Sequence, residues 1–416
     1  MHRRRKRTPG LAQMLALVCL AATANSDAQD RAAAAVTLAQ AFEAAWARQP
    51  EALALQLRRE AVHAQQQAAL AWTPEPAALT LSDKTDRFNR NQGVREIEVG
   101  LAIPLWLPGE RARSGALAEA ERGGVESRVA AARLRLAGGL REAWWQRQRA
   151  QVDADVARDQ LTNARVLAAD VAKRLRAGDL ARADQHQADG AVAAAESAVA
   201  RALSAEAAAR QQLRATSGGV LEAPANARAE PEPAGGALAS EHPAVAQLQD
   251  RVTIAERAAA LGTTRARANP ELTLATTRER DGRGERYEPS ITIGLRIPLG
   301  AGSRYTARVA AAQAEATELQ AQLRLERERI AAEQDALRER VAAARAQLAA
   351  AERRAQLAAE SRGFFDKSFR VGETDLPTRL RVEAEAVEAR RQAASARIEV
   401  AAAISQWRQA LGLLPE

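Results

Sequence analysis

Two short stretches of the sequence, each opened by a glycine, carry acidic side chains that could attract a cation. The glycines are Gly178 and Gly372, and the acids that follow them are Asp179, Asp184, Glu373 and Asp375. Carboxylates after such a turn could supply charge at a constriction or contact a protein partner. They also suit helix capping, because an acid near a helix N-terminus stabilises it by about 0.3–1 kcal/mol. Both roles stay open, and one residue can have both.

No other residues in the sequence are spaced for recognisable chemistry. The histidines are His2, His63, His186 and His242, and no two of them have the spacing of metal ligands. Cys19, the only cysteine, lies in an N-terminal apolar run, so we expect a mature chain without thiols. The sequence also lacks a nucleophile–base pair, a phosphate-binding loop and a dinucleotide fingerprint. We therefore expect no catalytic residues, no cofactor and no tightly bound metal.

The first 28 residues are typical of a secretory signal peptide. The basic stretch HRRRKR precedes the apolar run LAQMLALVCLAA, and ATANSDA offers cleavage sites after Ala24 or Ala28. The apolar run is too short to span a bilayer, which takes about 20 residues. Part of the net charge of +8 belongs to this segment, and the remaining arginines are interleaved with acids. That pattern indicates a solvated helix face and no nucleic-acid partner.

The rest of the sequence is duplicated. The motif EVGLAIPLW, which contains Pro104, returns as TIGLRIPLG with Pro298, and Gly178 returns as Gly372. Both pairs are separated by 194 positions. A constant spacing over a long stretch indicates two copies of one structural unit.

We predict a first unit over 29–217 and a second over 238–416, joined by a linker over 218–237 that is rich in Pro, Gly and Ala. Each unit contains two segments that alternate with period two and therefore predict a β-hairpin. The predicted strands cover about 77–87, 94–106, 270–280 and 287–299.

One face of each second strand is apolar. Ile97, Val99, Leu101 and Ile103 alternate with Glu96, Glu98, Gly100 and Ala102. A soluble sheet with one buried face has the same pattern. However, long helices flank each hairpin and offer no apolar layer to cover it, so an outward face toward lipid fits better. Trp106, at the strand end, suits either an interfacial aromatic belt or packing at the helix–strand junction.

Helical patterns fill the remainder of both units. They cover about 37–71, 108–176 and 179–217, and then 240–268, 300–371 and 373–412. A helix of about 70 residues is roughly 105 Å long. In each unit the combined length of the two shorter helices matches the length of the long one. We therefore expect the shorter helices to stack end to end beside the long helix, so that the units pack side by side as the wall of a long tube.

Two hairpins supply only four strands, which cannot form a closed membrane barrel. Every backbone polar group in hydrocarbon must be paired, and closed barrels begin at about eight strands. We therefore expect copies of the chain to share a barrel. The strand count alone permits a dimer or a trimer.

The duplicated helix–hairpin–helix–helix unit, the IPL motifs and the turns RAGD and RVGETD resemble the TolC-like outer-membrane factor family. The segment AGDLARAD is most similar to the CzcC-type branch, which serves heavy-metal efflux. The resemblance implies a mainly α fold with a small membrane β part, in which a homotrimer forms a long helical tunnel and a shared barrel of twelve strands. It implies the exit duct of a tripartite efflux system in the Gram-negative outer membrane, mostly periplasmic, with an adaptor and an inner-membrane pump as partners.

The resemblance also implies roles for particular residues. Gly178 and Gly372 match the turns at the periplasmic tip, where the tunnel closes and the adaptor binds. Thr378 and Arg381 stand where some members carry gating carboxylates, which is a departure from the family pattern. Pro104 and Pro298 mark barrel strand ends. A periplasmic coiled-coil adaptor or scaffold is the alternative class, and drugs or secreted polypeptides are alternative cargoes.

Overall fold

A computed structural model of the chain describes residues 37–219, 228–234, 241–299 and 302–416. The predicted signal peptide, including Cys19, lies outside these residues, as do parts of the predicted linker. No helix in the described ranges is both long enough and apolar enough to cross a membrane.

The described chain is mainly helical with two β-hairpins. The first unit contains α1 (Leu38–Trp46), α2 (Pro50–Leu70), β1 (Ala78–Thr85), β2 (Arg95–Pro104), α3 (Glu110–Ala177) and α4 (Arg182–Ser217). The second unit contains α5 (Pro243–Thr264), β3 (Glu271–Arg280), β4 (Glu288–Arg296), α6 (Ser303–Arg370) and α7 (Leu376–Ala410). The predicted fold class is confirmed.

The opening helix differs from its prediction. We expected one helix over 37–71, but the structure divides it into α1 and α2. Pro50 is the cause, because proline lacks an amide donor and pushes the preceding residue out of the helical region. Gln49 accordingly has an extended backbone, with φ −69° and ψ 141°. Thr37 caps α1: its Oγ1 accepts a hydrogen bond from the Gln40 amide, and its own amide donates to Oε1 of Gln40, which forms a capping box.

The long helices α3 and α6 have 68 residues each, so each is roughly 100 Å long. Their alanines and glycines let neighbouring helices approach closely. At Gly124 of α3, a Cβ atom would lie 2.8 Å from Cδ1 of Ile254, which is closer than packed carbon atoms allow. The glycine therefore permits the contact between α3 and α5.

The helices form an array in which α3 is central. The shorter helices α2 and α4 pack on α3, as do α5 and α7, which also pack on α6. A core cluster forms where α1, α3, α4 and α7 meet, and its large side chains are Phe42, Leu140, Trp144, Trp145 and Leu213. The indole N–H of Trp145 donates a 2.8 Å hydrogen bond to Oγ of Ser405. This cluster joins the first unit to the last helix of the second.

The two hairpins form one antiparallel sheet in the order β1-β2-β3-β4. Strand β2 pairs with β1 and with β3, so that Gly100 lies opposite both Thr80 and Ala275. The sequence predicted the hairpins but not this pairing between them. Strands β1 and β4 are the two edges of the sheet.

Candidate functional site

A left-handed glycine follows each long helix within two residues of its end, and these two glycines begin the turns that the sequence singled out. Gly178 has φ 86° and Gly372 has φ 84°. Residues with a Cβ atom rarely adopt this conformation, whereas glycine ends helices in it readily. The glycine amides point back into the helices and bond to the carbonyls of Leu175 and Phe369. Both chain reversals therefore follow from the two glycines.

In the first turn the acids have different surroundings. Oδ2 of Asp184 accepts a 2.9 Å hydrogen bond from the Ala181 amide at the start of α4. This contact satisfies one of the amides that a helix N-terminus leaves free. Asp179 is exposed beside Gly178, and its amide bonds to the carbonyl of Arg174. Asp184 thus caps the start of α4, while Asp179 is exposed to solvent.

In the second turn the cap comes from a different position, the residue just before the helix. Oδ1 of Asp375 accepts a 3.1 Å hydrogen bond from the Thr378 amide at the start of α7. Hydrogen bonds from the Thr378 side chain and amide hold the pKa of the Asp375 carboxyl below its usual range. The hydroxyls of Ser368 and Thr374 lie 2.6 Å apart across the turn. Glu373 is exposed, so it has the same accessibility as Asp179.

The structure brings the two turns together. Val171, Ala188, Phe369 and Leu376, from four different helices, form one buried cluster beneath them. Sequence reasoning predicted two turns at one end of the molecule but did not predict the residues that join them.

Arg174 links the two turns, and the sequence analysis missed it. Its guanidinium donates to the Phe369 carbonyl at 2.9 Å and to the Arg370 carbonyl at 3.4 Å. It also lies 4.8 Å from the centroid of the Phe369 ring. A cation beside the last carbonyls of a helix stabilises them, because the helix C-terminus carries partial negative charge. Arg174 is the fourth residue before Gly178, a spacing that could have pointed to it.

The two residues carried over from the family pattern lie in the first turns of α7. Thr378 supplies the amide that Asp375 caps. Arg381 is exposed, and its guanidinium donates at 2.8 Å to Glu385 one turn later. Arg379, which the sequence did not single out, is buried and pairs with Asp366 and Glu383. Arg379 therefore holds the ends of α6 and α7 together, whereas Arg381 faces away from that contact.

The sheet has two chemically different faces. In one cross-strand row Leu79, Leu101, Leu274 and Ile293 lie opposite one another. On the other face of the sheet, the neighbouring cross-strand row consists of Thr80, Gly100, Ala275 and Thr292. The apolar side chains Leu79, Leu81, Val99, Leu101, Leu274, Ile291, Ile293 and Leu295 are all exposed in the isolated chain. Exposed apolar patches of this extent mark surfaces that are covered in the working state.

The junction between sheet and helices contains a buried carboxylate that the sequence did not predict. Glu110 accepts hydrogen bonds from Arg265 and Asn269, both at 2.7 Å, and from the Leu107 amide. Nearby, the indole N–H of Trp106 donates to the Ala71 carbonyl. Of the two roles considered for Trp106, packing at the junction is the one with an observed contact. Pro104 is the last residue of β2, and Pro298 lies just beyond β4.

Part of the predicted linker is fixed against the helices. Glu230 is 5% exposed and forms a two-bond ion pair with Arg141 of α3, at 2.7 and 2.9 Å. Its carboxylate also lies 3.4 Å from the guanidinium of Arg408 in α7, and that guanidinium donates to the Pro231 carbonyl. The stretch 228–234, which we call the strap, therefore joins the first unit to the second.

Across the described residues, no cluster of three or more His, Cys, Asp or Glu side chains could hold a metal ion. His242 instead caps α5: its Nδ1 accepts a hydrogen bond from the Ala244 amide at 3.2 Å. Burial lowers the pKa of His242, because an apolar environment disfavours the charged imidazolium.

Comparison with solved structures identifies the class of fold. The outer membrane protein VceC from Vibrio cholerae aligns with a TM-score of 0.73 at 16% identity, covering 91% of this chain and 97% of that one. CusC, whose structures describe folding and transmembrane channel formation, aligns with a TM-score of 0.75 at 16% identity, covering 91% and 93%. The open state of the MtrE outer membrane channel from Neisseria gonorrhoeae gives 0.71 at 16% identity, covering 90% and 89%.

The chain therefore has the fold of TolC-like outer-membrane channels along nearly its whole described length. No protein-family model and no curated protein matches the sequence.

Proposed function

We propose that this chain is an outer-membrane channel and that it serves as the exit duct of a tripartite efflux system. The observation that carries the proposal is the sheet, whose apolar face is exposed and whose opposite face is small and polar. A lipid-facing surface and a water-filled lumen need these two faces. Helices of roughly 100 Å that start at the sheet would extend the lumen into the periplasm.

The same sheet supports oligomerisation. Strands β1 and β4 each have one unpaired edge, and unpaired backbone groups are not tolerated in hydrocarbon. Edges joined between copies would satisfy them. A homotrimer, the state that the resemblance to the TolC-like family implies, would place twelve strands in the shared barrel.

The turns at Gly178 and Gly372 are our proposed periplasmic tip. We propose that an adaptor binds there and that its engagement, with the inner-membrane pump, loosens the contact between the two turns. Asp179 and Glu373 are the exposed carboxylates available to that adaptor or to a passing cation. No chemical step occurs on the chain, and solute leaves by diffusion.

Membrane fractionation tests the proposal directly. In a Gram-negative host the chain should appear in the outer membrane, as an oligomer whose electrophoretic mobility changes on heating. A periplasmic adaptor would wash off or follow the inner membrane. An adaptor should also carry a compact β-rich block, whereas the four described strands form one sheet between long helices. Recovery as a soluble monomer would refute the channel.

Heavy-metal cations are the cargo we propose, and the support is the resemblance of AGDLARAD to the CzcC-type branch. Drugs and secreted polypeptides are the competing cargoes. Deletion of the gene, followed by growth on graded zinc, cobalt, cadmium, copper and common drugs, separates them. Sensitivity to metals alone is the expected result, and sensitivity to drugs alone would contradict it.

A further inference from the structure

The chain has two lateral edges, and each edge includes both a strand and helices. One edge consists of β1 with α2 and α4, which pack on α3. The other consists of β4 with α6, which packs on α5 and α7. The free side of each edge bears no element of the described chain. A second copy that meets the free edge of the sheet must also bring its helices to the free edge of the array.

The α6 edge presents an exposed leucine. The buried side of α6 carries Leu319, Leu323 and Ile330, which pack with α5. Leu325 follows Leu323 by two residues, which is about 200° around a helix of 3.6 residues per turn. It is 66% exposed. Leu325 therefore points away from α5, out of the free side of α6.

The α2 edge presents two leucines in the same way. Its buried residues are Val62 and Ala69. Leu53 precedes Val62 by nine residues, or about two and a half turns, which places it on the opposite side of the helix. Leu57 lies one turn further along and shares that side. Their exposures are 70% and 69%. Leu70, the last residue of α2, is exposed as well, but it lies about three and a half turns from Leu57, at the sheet end of the helix.

Contacts between neighbouring helices show that these leucines lie at the same level along the helix axes. Arg59 of α2 pairs with Glu126 of α3, and Ile254 of α5 lies against Gly124. Glu256 of α5 accepts a hydrogen bond from Gln320 of α6, and Gln249 accepts one from Arg327. Following these pairs, Leu325 is level with residues 57–59 of α2. The two exposed apolar sites thus match in height as well as in direction.

We propose that Leu325 of one copy packs against Leu53 and Leu57 of the next copy, and we call this contact the leucine seam. The occupant is a second copy of this chain, because only a repeated copy offers a complementary edge to the strand and the helix together. The contact is head to tail, with different surfaces on its two sides, and such contacts close into rings when the rotation allows it. The seam rests on the proposed function, since it names where the channel subunits meet.

Disulfide formation tests the seam, because a disulfide needs Cα atoms within about 4.4–6.8 Å of each other. The test variant is Leu57→Cys with Leu325→Cys, in a chain whose only cysteine is removed by Cys19→Ser. Outer membranes from expressing cells are oxidised with copper phenanthroline and run on non-reducing gels. The expected result is a ladder of covalent species up to the full oligomer, which collapses to monomer on reduction.

Matched variants make the result specific. After heating, the two single-cysteine variants should run as monomers on these gels, because each edge then lacks its partner thiol. The pair Leu57→Cys with Leu357→Cys should also fail to cross-link. Leu357 is similarly exposed on α6 but lies 32 residues further along, or about 48 Å.

Two outcomes would overturn the seam, and they differ in what they say about the channel. If the test pair cross-links no better than the Leu357 pair, while unheated samples still run as the oligomer, the seam is wrong and the channel stands. If unheated samples show no oligomer and the chain is absent from the outer membrane, the proposed function fails with the seam.

Discussion

The long helices α3 and α6 are equivalent in the duplication and equal in length, yet they have different environments. Sixteen residues of α3 are buried, against seven of α6. The difference follows from position. In the described chain α2, α4, α5 and α7 all pack against α3, whereas α5 and α7 pack against α6. The duplication therefore gave two similar long helices, of which α3 lies in the interior of the helix array and α6 lies at its edge. The interior helix stabilises the subunit, and the edge helix is available to another copy.

We expect the largest effect on stability from removing the ion pairs that Glu230 of the strap forms with the two units. Glu230→Gln removes the charge that neutralises Arg141 and one of the two carboxylates beside Arg408, which also pairs with Glu416; both arginines are almost fully buried. Breaking a buried pair in this way costs about 3–5 kcal/mol. The thermal midpoint of the detergent-solubilised protein should fall sharply.

Glu232→Gln is the matched control. Glu232 belongs to the same strap but forms a solvent-exposed pair with Arg345, and exposed pairs contribute about 0–1 kcal/mol. Equal effects of the two substitutions would show that the strap does not join the units through Glu230.

The second effect concerns the two tip turns. Arg174 of the first unit bonds to carbonyls of the second unit, whereas Ser368, its equivalent, bonds within its own turn. Arg174→Ala should remove hydrogen bonds to a charged group, worth about 1.5–3 kcal/mol. A looser tip should raise single-channel conductance in planar bilayers.

Arg176→Ala is the control for tip loosening, because the hydrogen bond that Arg176 donates in the described chain goes to the Ala172 carbonyl of its own helix. Its removal should leave the contact between the turns intact. An intact oligomer with unchanged conductance after Arg174→Ala would mean that Arg174 does not hold the tip.

The third prediction compares the N-terminal caps of α5 and α2. His242 caps α5 with a neutral imidazole, and burial lowers its pKa. The equivalent residue Gln49 makes no side-chain cap. Because the folded form favours the neutral ring, stability is fully present above the ordinary histidine pKa and declines as pH falls below it. Glu326, Glu333 and Arg329 face the ring from α6.

His242→Asn should flatten this pH dependence, since asparagine caps a helix without titrating. Thermal midpoints measured between pH 5 and 8 would show the change, and Gln49→Asn gives the comparison in the first unit. An unchanged slope for His242→Asn would assign the pH dependence to other groups.

The smallest effect is local to the second turn. Asp375 caps α7 with a lowered pKa, whereas the equivalent residue in the first unit is Ala181. Since the folded pKa is lowered, the cap is present above the usual carboxyl range and is lost as pH falls through the folded value. The protection of the Thr378 amide against hydrogen exchange, measured relative to the intrinsic exchange rate at each pH, should therefore fall on acidification.

Asp375→Asn should remove that acid-dependent loss of protection while keeping the cap, and Asp179→Asn should leave the protection as it is in the wild type. A loss of protection on acidification that persists in Asp375→Asn would show that another group opens the start of α7.

Much of the fold could be read from the sequence because it depends on local patterns. Period-two alternation predicted the strands, and the spaced glycines predicted the two turns. Contacts between distant segments could not be read in this way. Glu230 lies in a stretch that looks like a flexible linker, and only the folded array brings Arg141 and Arg408 to it. Glu110 similarly meets Arg265 across 155 positions of sequence.

The candidate site was predictable in location but not in detail. Gly178 and Gly372 marked the turns because a left-handed backbone requires glycine. Arg174 went unnoticed because its partners are backbone carbonyls, which have no sequence signal. The break before Pro50 was missed because an apolar helical pattern continues on both sides of it.

Ion conduction through the purified oligomer in planar bilayers tests the central claim most directly. The account predicts discrete conductance steps from the wild-type protein, since four strands from each copy would enclose a continuous lumen. An oligomer that inserts into the bilayer and passes no current would contradict it.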